Sequence, residues 1–425
     1  MTASRIAAAI FGNALEWYDF TIYGYMAVTI AHLFFPSTSI WTPLLSAFAA
    51  FGVAYGVRPF GGIVLGYFAD VYGRKAMLVI VIVLMTAGTA MVALAPTYAT
   101  IGAAAPVLVV CARLLQGLSA GGEFGSAASF LIEHAPPSRR GYFGAWQFAG
   151  QGAAVFISGA IGAWLTWQFS IEQIEDWGWR LPFLLGLLIG PVGVLIRARL
   201  QETPDFIASR ATSLPPSSPL LSIFAHYKLF VLIALALVVG GTAMFYVFVV
   251  FMPTYVVSVL HLPAHVGFAA PIISGFVLAV FCPVLGWWSD LFGRRATMAT
   301  TAAAGLVLLA PAFLWLDADP SAAKVATIAV FFGLLFSGYA GPFSAALADL
   351  FPVPVRATGM SITYNLGVGL FGGFSPLIVA WLIAATGSKL APCYYVMACL
   401  GISLAALAMV PPEPSRARRP DAPKP

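Results

Sequence analysis

Five ionisable side chains interrupt apolar stretches near the start of the chain. They are Glu16 and Asp19 in "GNALEWYDF", Arg58 in "GVRPFGG", and Arg113 and Glu123 in "ARLLQGLSAGGEFG". Charges placed inside a span cost free energy and mark functional sites by default. Burial favours the neutral form of a carboxyl group, whereas an adjacent arginine favours the anion. An acid that holds its arginine in one state and loses it in another therefore binds and releases a proton. The planar guanidinium fork also accepts a carboxylate bidentately. These residues point to proton exchange at Asp19, Glu16 and Glu123, and to anion binding at Arg113 and Arg58. Glu16 and Asp19 stand three apart, on roughly one helix face, and cannot both stay ionised without cationic partners. The alternative is a static Asp19–Arg58 pair that merely holds two spans together.

The elements that carry these residues follow from composition. Of 425 residues, 60% are hydrophobic and only 9% charged, with a mean hydropathy of +0.92. Soluble domains carry about 25% charged residues. Strand-like alternation with polar interior positions is absent, which argues against a β-barrel. Lipid cannot satisfy exposed backbone groups, so the apolar runs must be helices. Windows of about 20 residues fit at about 9–34, 43–69, 75–96, 102–134, 141–167 and 179–197, then at about 228–258, 266–289, 295–316, 322–350, 356–385 and 391–411. The chain is expected to be an all-α membrane protein with 12 transmembrane helices. A first six-helix bundle spans 1–197, a central loop 198–227 containing "SLPPSSP", and a second bundle 228–411. The tail 412–425 is rich in Pro and Arg and expected to be disordered.

Of the 21 basic residues, sixteen fall on the side of the termini, and Arg180, Lys324 and Lys389 on the other; Arg58 and Arg113 are left inside spans. The positive-inside rule places both termini and the central loop in the cytoplasm, in a bacterial inner membrane. The net charge of +5 is thus a topology signal and not a nucleic-acid footprint. The polar stretch around Asn13 to Asp19 argues against a cleaved signal peptide. At 1.5 Å per residue, Asp19 lies roughly 15 Å from the cytoplasmic face, Glu16 roughly 10 Å, Arg58 and Glu123 roughly 17 Å, and Arg113 roughly 30 Å.

The chain repeats itself. "GYFADVYGRK" at 66–75 and "GWWSDLFGRR" at 286–295 share one pattern, 220 residues apart. Glu133 precedes Arg140 as Asp349 precedes Arg356, each by seven residues. Two six-span halves repeated in parallel are the expected architecture. Asp70 and Asp290 are expected to pair with cytoplasmic arginines or a helix N-terminus, making a gate of Asp70, Arg74, Glu133, Arg140, Asp290, Arg294, Asp349 and Arg356. Topology alone is the competing account of these basic residues.

The doubled motif resembles that of the major facilitator superfamily. "GNALEWYDF", "GVRPFGG", "ARLLQGLSAGGEFG" and "WGWRLPF" resemble its metabolite:proton symporters, which include carriers of citrate, 2-oxoglutarate, shikimate, and proline or betaine. The resemblance runs from about Ile6 to Val410. It implies a major facilitator fold and alternating access. Related sugar carriers use an acid on span one with an arginine on span four, which would set Asp19 and Glu16 against Arg113.

The second half offers neutral groups at matching depth: Thr242, Tyr246, Tyr255, Tyr339, Tyr364 and Asn365. Of these, Tyr246, Tyr255, Tyr364 and Asn365 join Tyr23, Gln147 and Gln151 to complete the candidate binding residues. The glycines after Arg113 admit close helix approach, or packing alone. Trp17, Tyr18, Tyr23 and Tyr25 are packing residues or a cation–π box. His261 and His265 read as incidental loop residues, and the four cysteines as buried thiols without metal spacing. A phosphate loop, zinc-protease motif and nucleophile elbow are absent, so neither ATP-driven pumping nor an enzyme is expected. Neither are a metal, cofactor or nucleic-acid partner. The expected function is proton-coupled uptake of a small organic acid such as a di- or tricarboxylate by a monomer in the bilayer. The alternative is a zwitterionic osmolyte such as proline or betaine; the short tail without heptads argues against the osmosensing carriers.

Overall fold

The computed structural model describes residues 3–37, 39, 41–72, 74–121, 124–125, 128, 131–132, 135–187, 190, 223, 226–352 and 355–410, the side chains of 3–12, 15, 66–72 and 74–79 excepted. Every regular element among them is helical. Helix α1 (Ala3–Tyr25) carries Glu16 and Asp19 and breaks for one residue at Met26 before α2 (Ala27–Phe34). Helices α3 (Trp41–Gly56) and α4 (Arg58–Tyr72) follow, then α5 (Arg74–Ala93), α6 (Ala104–Ala120) and α7 (Arg140–Gln168). Residues 180–187 are also helical.

The later elements begin with α8 (Lys228–Phe245), which passes through a π turn at Tyr246–Val250 into α9 (Met252–Ser258). Then come α10 (Ala264–Phe292), α11 (Arg294–Ala318) and α12 (Ala322–Asp349). Helix α13 (Arg356–Gly367) passes through a second π turn, Val368–Gly373, into α14 (Ser375–Thr386), and α15 (Ala391–Met409) ends the series. Eight helices among the described residues are long and apolar enough to cross a membrane.

Proline chemistry decides one break that matters. Pro59 has no N–H and its ring would collide with the Tyr55 carbonyl, so the helix interrupts at Val57 and restarts with Arg58 as the first residue of α4. The restart delivers Arg58 beside α1. Glycine then sets the spacing to α6. Side chains at Gly117 and Gly121 would run into the backbone carbonyls of Ala54 and Arg58, so the two spans meet backbone to backbone.

The halves meet along α7 and α10. A methyl on Gly286 would lie 2.6 Å from the Gly141 carbonyl, and one on Gly152 2.8 Å from that of Gly275. At the α7 N-terminus, the Gly141 and Tyr142 amides each donate to Asp290 at 2.9 Å. Arg294 pairs with Asp290 at 3.2 Å and also with Asp349, and Arg140 reaches Asp349 at 3.8 Å across the halves. Arg356 donates from Nε to the Ala348 carbonyl at 2.9 Å. The side chains of Asp70 and Arg74, and Glu133 altogether, lie outside the described residues. At the opposite end, Tyr25 meets Phe268 and Phe48 meets Phe251 edge to face or tilted, at 6.2 and 5.5 Å between ring centroids. The halves are thus in contact at both ends.

Candidate functional site

The charges on α1 are sorted onto different partners. Glu16 pairs with Arg58 at 3.2 Å, both largely removed from solvent. Among the described residues, Asp19 makes no ion pair. Its Oδ2 accepts from the Thr89 hydroxyl at 2.7 Å, and its Oδ1 has no hydrogen-bond partner. Thr89 in turn accepts from Gln116 Nε2 at 3.0 Å, and Gln116 Oε1 accepts from Arg113 Nη1 at 2.6 Å. Asp19 and Arg113 are therefore joined through two neutral side chains on α5 and α6. The static Asp19–Arg58 pair weighed from sequence does not form; Glu16 occupies that guanidinium. The reason is azimuthal, since three residues on a helix leave side chains about 60° apart.

Arg113 is fully buried. Its guanidinium lies over the rings of Tyr23, Phe20 and Phe51 at 4.4, 5.0 and 5.4 Å, and Arg58 lies over Tyr55 and Phe20 at 4.4 and 4.5 Å. Phe20 serves both. With its faces covered and Nη1 spent on Gln116, Arg113 retains Nε and Nη2 without partners. Those two donors form one side of the fork, the edge that matches a carboxylate. Arg58 likewise keeps an unpartnered Nε. The tight seat of Asp19 is completed by Gly186, where an added methyl would come within 2.6 Å of Oδ1.

Between the halves lies a cavity of about 20 Å³, enough for a water or so but not for an organic acid. Its wall includes Trp17, Gln151, Tyr246, Tyr339 and Tyr364. Trp17 also borders Arg58, at 5.8 Å, and Tyr246 packs on Tyr55 at 5.2 Å. Arg58 thus stands one side chain behind the cavity wall, while Arg113 stands behind Phe20, Tyr23 and Phe51.

The other candidates separate. Gln151 Nε2 and the Tyr246 hydroxyl are buried without partners, as is the whole Gln147 side-chain amide. Asn365 donates to the Gly121 carbonyl at 2.6 Å, across the halves. Tyr23 donates to the Ala47 carbonyl at 3.3 Å. Tyr255 lies off the cavity, and its hydroxyl donates to the Lys389 carbonyl at 3.0 Å; that placement withdraws it from the binding set. Glu123 lies outside the described residues. Sequence reading missed Thr89, Gln116, Tyr55 and Gly186. Only Gln116 carried a signal, being three residues past Arg113 and so on its side of the helix.

The family model of the Major Facilitator Superfamily matches residues 9–364 and 272–425. The chain is 36% identical over 409 residues to a citrate-proton symporter of Salmonella typhi, covering 96% of this chain and 94% of that protein. It is 31% identical over 402 residues to a proline/betaine transporter of Escherichia coli strain K12, covering 92% of this chain and 80% of that protein. Among solved structures it resembles a D-xylose-proton symporter with a TM-score of 0.75 and 19% identity, covering 96% of this chain and 98% of the other. The chain belongs to the Major Facilitator Superfamily, among its metabolite:proton symporters. It is a multi-pass membrane transporter with the twelve-helix fold of that superfamily, and not an enzyme.

Proposed function

We propose that this transporter takes up a small organic carboxylate together with protons, by alternating access across a bacterial inner membrane with both termini cytoplasmic. The observation that carries the reading is the unpartnered Nε–Nη2 edge of the buried Arg113. A buried donor pair without an acceptor costs roughly 1–3 kcal/mol or more per group, and a substrate carboxylate is the partner whose shape fits it. Asp19, two side chains away and lacking a cation of its own, takes the proton. With Asp19 protonated, Arg113 has no competing anion and is open to substrate. After the substrate leaves, Asp19 releases its proton and draws the guanidinium back through Gln116 and Thr89. Glu16 stays with Arg58, and Gln147, Gln151, Tyr246, Tyr364 and Asn365 supply neutral contacts. Glu123 is retained as a third acid. The halves 1–197 and 228–411 rock about the site, and the Asp290–Arg294–Asp349–Arg140 cluster, with Asp70, Arg74, Glu133 and Arg356, latches the cytoplasmic side.

The relative named for citrate-proton symport favours an organic acid. The second reading, a zwitterionic osmolyte, rests on relatives named for proline and betaine transport. It would use the first-span aromatics for a cationic group, and of these Trp17, Phe20 and Tyr23 already carry the protein's own arginines. Purified protein in liposomes, assayed with labelled organic acids and with glycine betaine under an inward proton gradient, tests the proposal. Carboxylate accumulation abolished by a protonophore and by Arg113→Ala is expected. Accumulation indifferent to the protonophore would sink the proton coupling.

A further inference from the structure

The cavity wall and the charge count together narrow the substrate, an inference that rests on the proposed carboxylate symport. Eight aromatic side chains, among them Trp17, Phe148, Phe245, Phe336 and Phe343, line the cavity. Several hydroxyls there are already engaged. Thr242 donates to the Val238 carbonyl at 2.9 Å and Tyr339 to that of Leu237 at 2.8 Å. The unpartnered polar atoms of the wall are Gln151 Nε2 and the Tyr246 hydroxyl, one at each half. No lysine, arginine or histidine lines the cavity among the described residues. A polycarboxylate seated there would set ionised groups against bare ring faces.

Charge bookkeeping agrees. The spans contain two cations at depth, Arg58 and Arg113, against three acids, Glu16, Asp19 and Glu123, and Arg58 is already paired with Glu16. One carboxylate entering with one proton leaves the buried charge unchanged. A tricarboxylate entering with one proton would leave two further negative charges in a low-dielectric interior, where each is costly.

We infer that the substrate is a monocarboxylate with an apolar or aromatic body, its carboxylate on the arginine side in the first half and its body among the rings at the interface, carried with one proton per molecule.

Liposomes containing the full chain, under an inward pH gradient, are given phenylpyruvate, pyruvate, citrate and glycine betaine. Phenylpyruvate is expected to be taken up with a KM at least tenfold below that of pyruvate, unaffected by excess citrate. Because the step moves no net charge, a potential imposed with potassium and valinomycin should leave its rate unchanged. Phe148→Ser should raise the phenylpyruvate KM about tenfold while changing that of pyruvate less than twofold. Phe343→Leu, which keeps an apolar side chain, should act in the same direction more weakly and serves if the first variant does not fold. Citrate accumulating in preference to phenylpyruvate, or a rate driven by the potential, overturns the inference and leaves proton-coupled carboxylate uptake standing. Accumulation of betaine alone overturns both.

Discussion

Asp19 is held from one side only. Thr89 supplies the donor to Oδ2, while Gly186 leaves room for Oδ1 and offers it nothing. Removing the hydroxyl in Thr89→Val, at nearly constant volume, strips the carboxylate of its donor and cuts the link to Gln116. Such a loss is worth about 1–3 kcal/mol. Proton-driven accumulation is expected to fall at least tenfold while exchange of preloaded substrate persists, as measured by uptake and counterflow in liposomes. Equal loss of both would assign Thr89 to packing. Gly186→Ala pushes a methyl onto the carboxylate and is expected to shift the pH profile of uptake; an unchanged profile would mean that the seat is not shaped by this glycine. The four charged members of the site were legible because charge in an apolar run stands out. Their pairing was not, because depth along the membrane normal carries no azimuth. Thr89 is one of two threonines, with Thr86, in an apolar window and was invisible without the partner that α1 brings to it.

At the scale of elements, Pro59 accounts for the break that aims Arg58, although one unbroken span was expected over about 43–69, and the π turns after α8 and α13 had no sequence signature. They depend on i→i+5 bonds chosen by tertiary packing. The repeat of the D-x-x-G-R pattern located a helix-end cluster, and the structure shows how the second copy is used. Asp290 caps the N-terminus of α7 with two amide bonds and holds Arg294 as well. A cap of this kind contributes about 1 kcal/mol, and the helix dipole adds to it. Asp290→Ala is expected to loosen α7 and α10 at the end where Asp290 caps α7, without disturbing the Glu16–Arg58 pair. A cysteine at Ala345, buried beside Gly144, reports on this directly. Its alkylation by a membrane-impermeant reagent reaching the Asp290 end should accelerate at least tenfold in the Asp290→Ala background. An unchanged rate would show that other contacts keep this side shut.

For the whole molecule, hydropathy windows and the doubled D-x-x-G-R pattern were enough to anticipate twelve helices in two repeated halves, because lipid leaves the backbone so few alternatives. The closed state was not legible, since contact between halves is a matter of conformation and not of pattern. The glycine seam of α7 and α10 brings the halves together backbone to backbone, while aromatic pairs such as Tyr25 and Phe268 cover the end remote from Asp290. If uptake requires that end to part, tying it must stop transport. In a Cys111→Ser background, which removes the one exposed thiol of the four cysteines, Tyr25→Cys with Phe268→Cys and a short bifunctional thiol reagent is expected to abolish uptake, with recovery on reduction. The control ties His32 to Glu175, a side-chain contact of 3.1 Å contained within the first half. Cross-linking His32→Cys with Glu175→Cys should leave uptake within twofold, because rocking of rigid halves does not change distances inside one of them. Equal inhibition by both tethers would show that the first half deforms internally during the cycle, and the rigid-half account would fail.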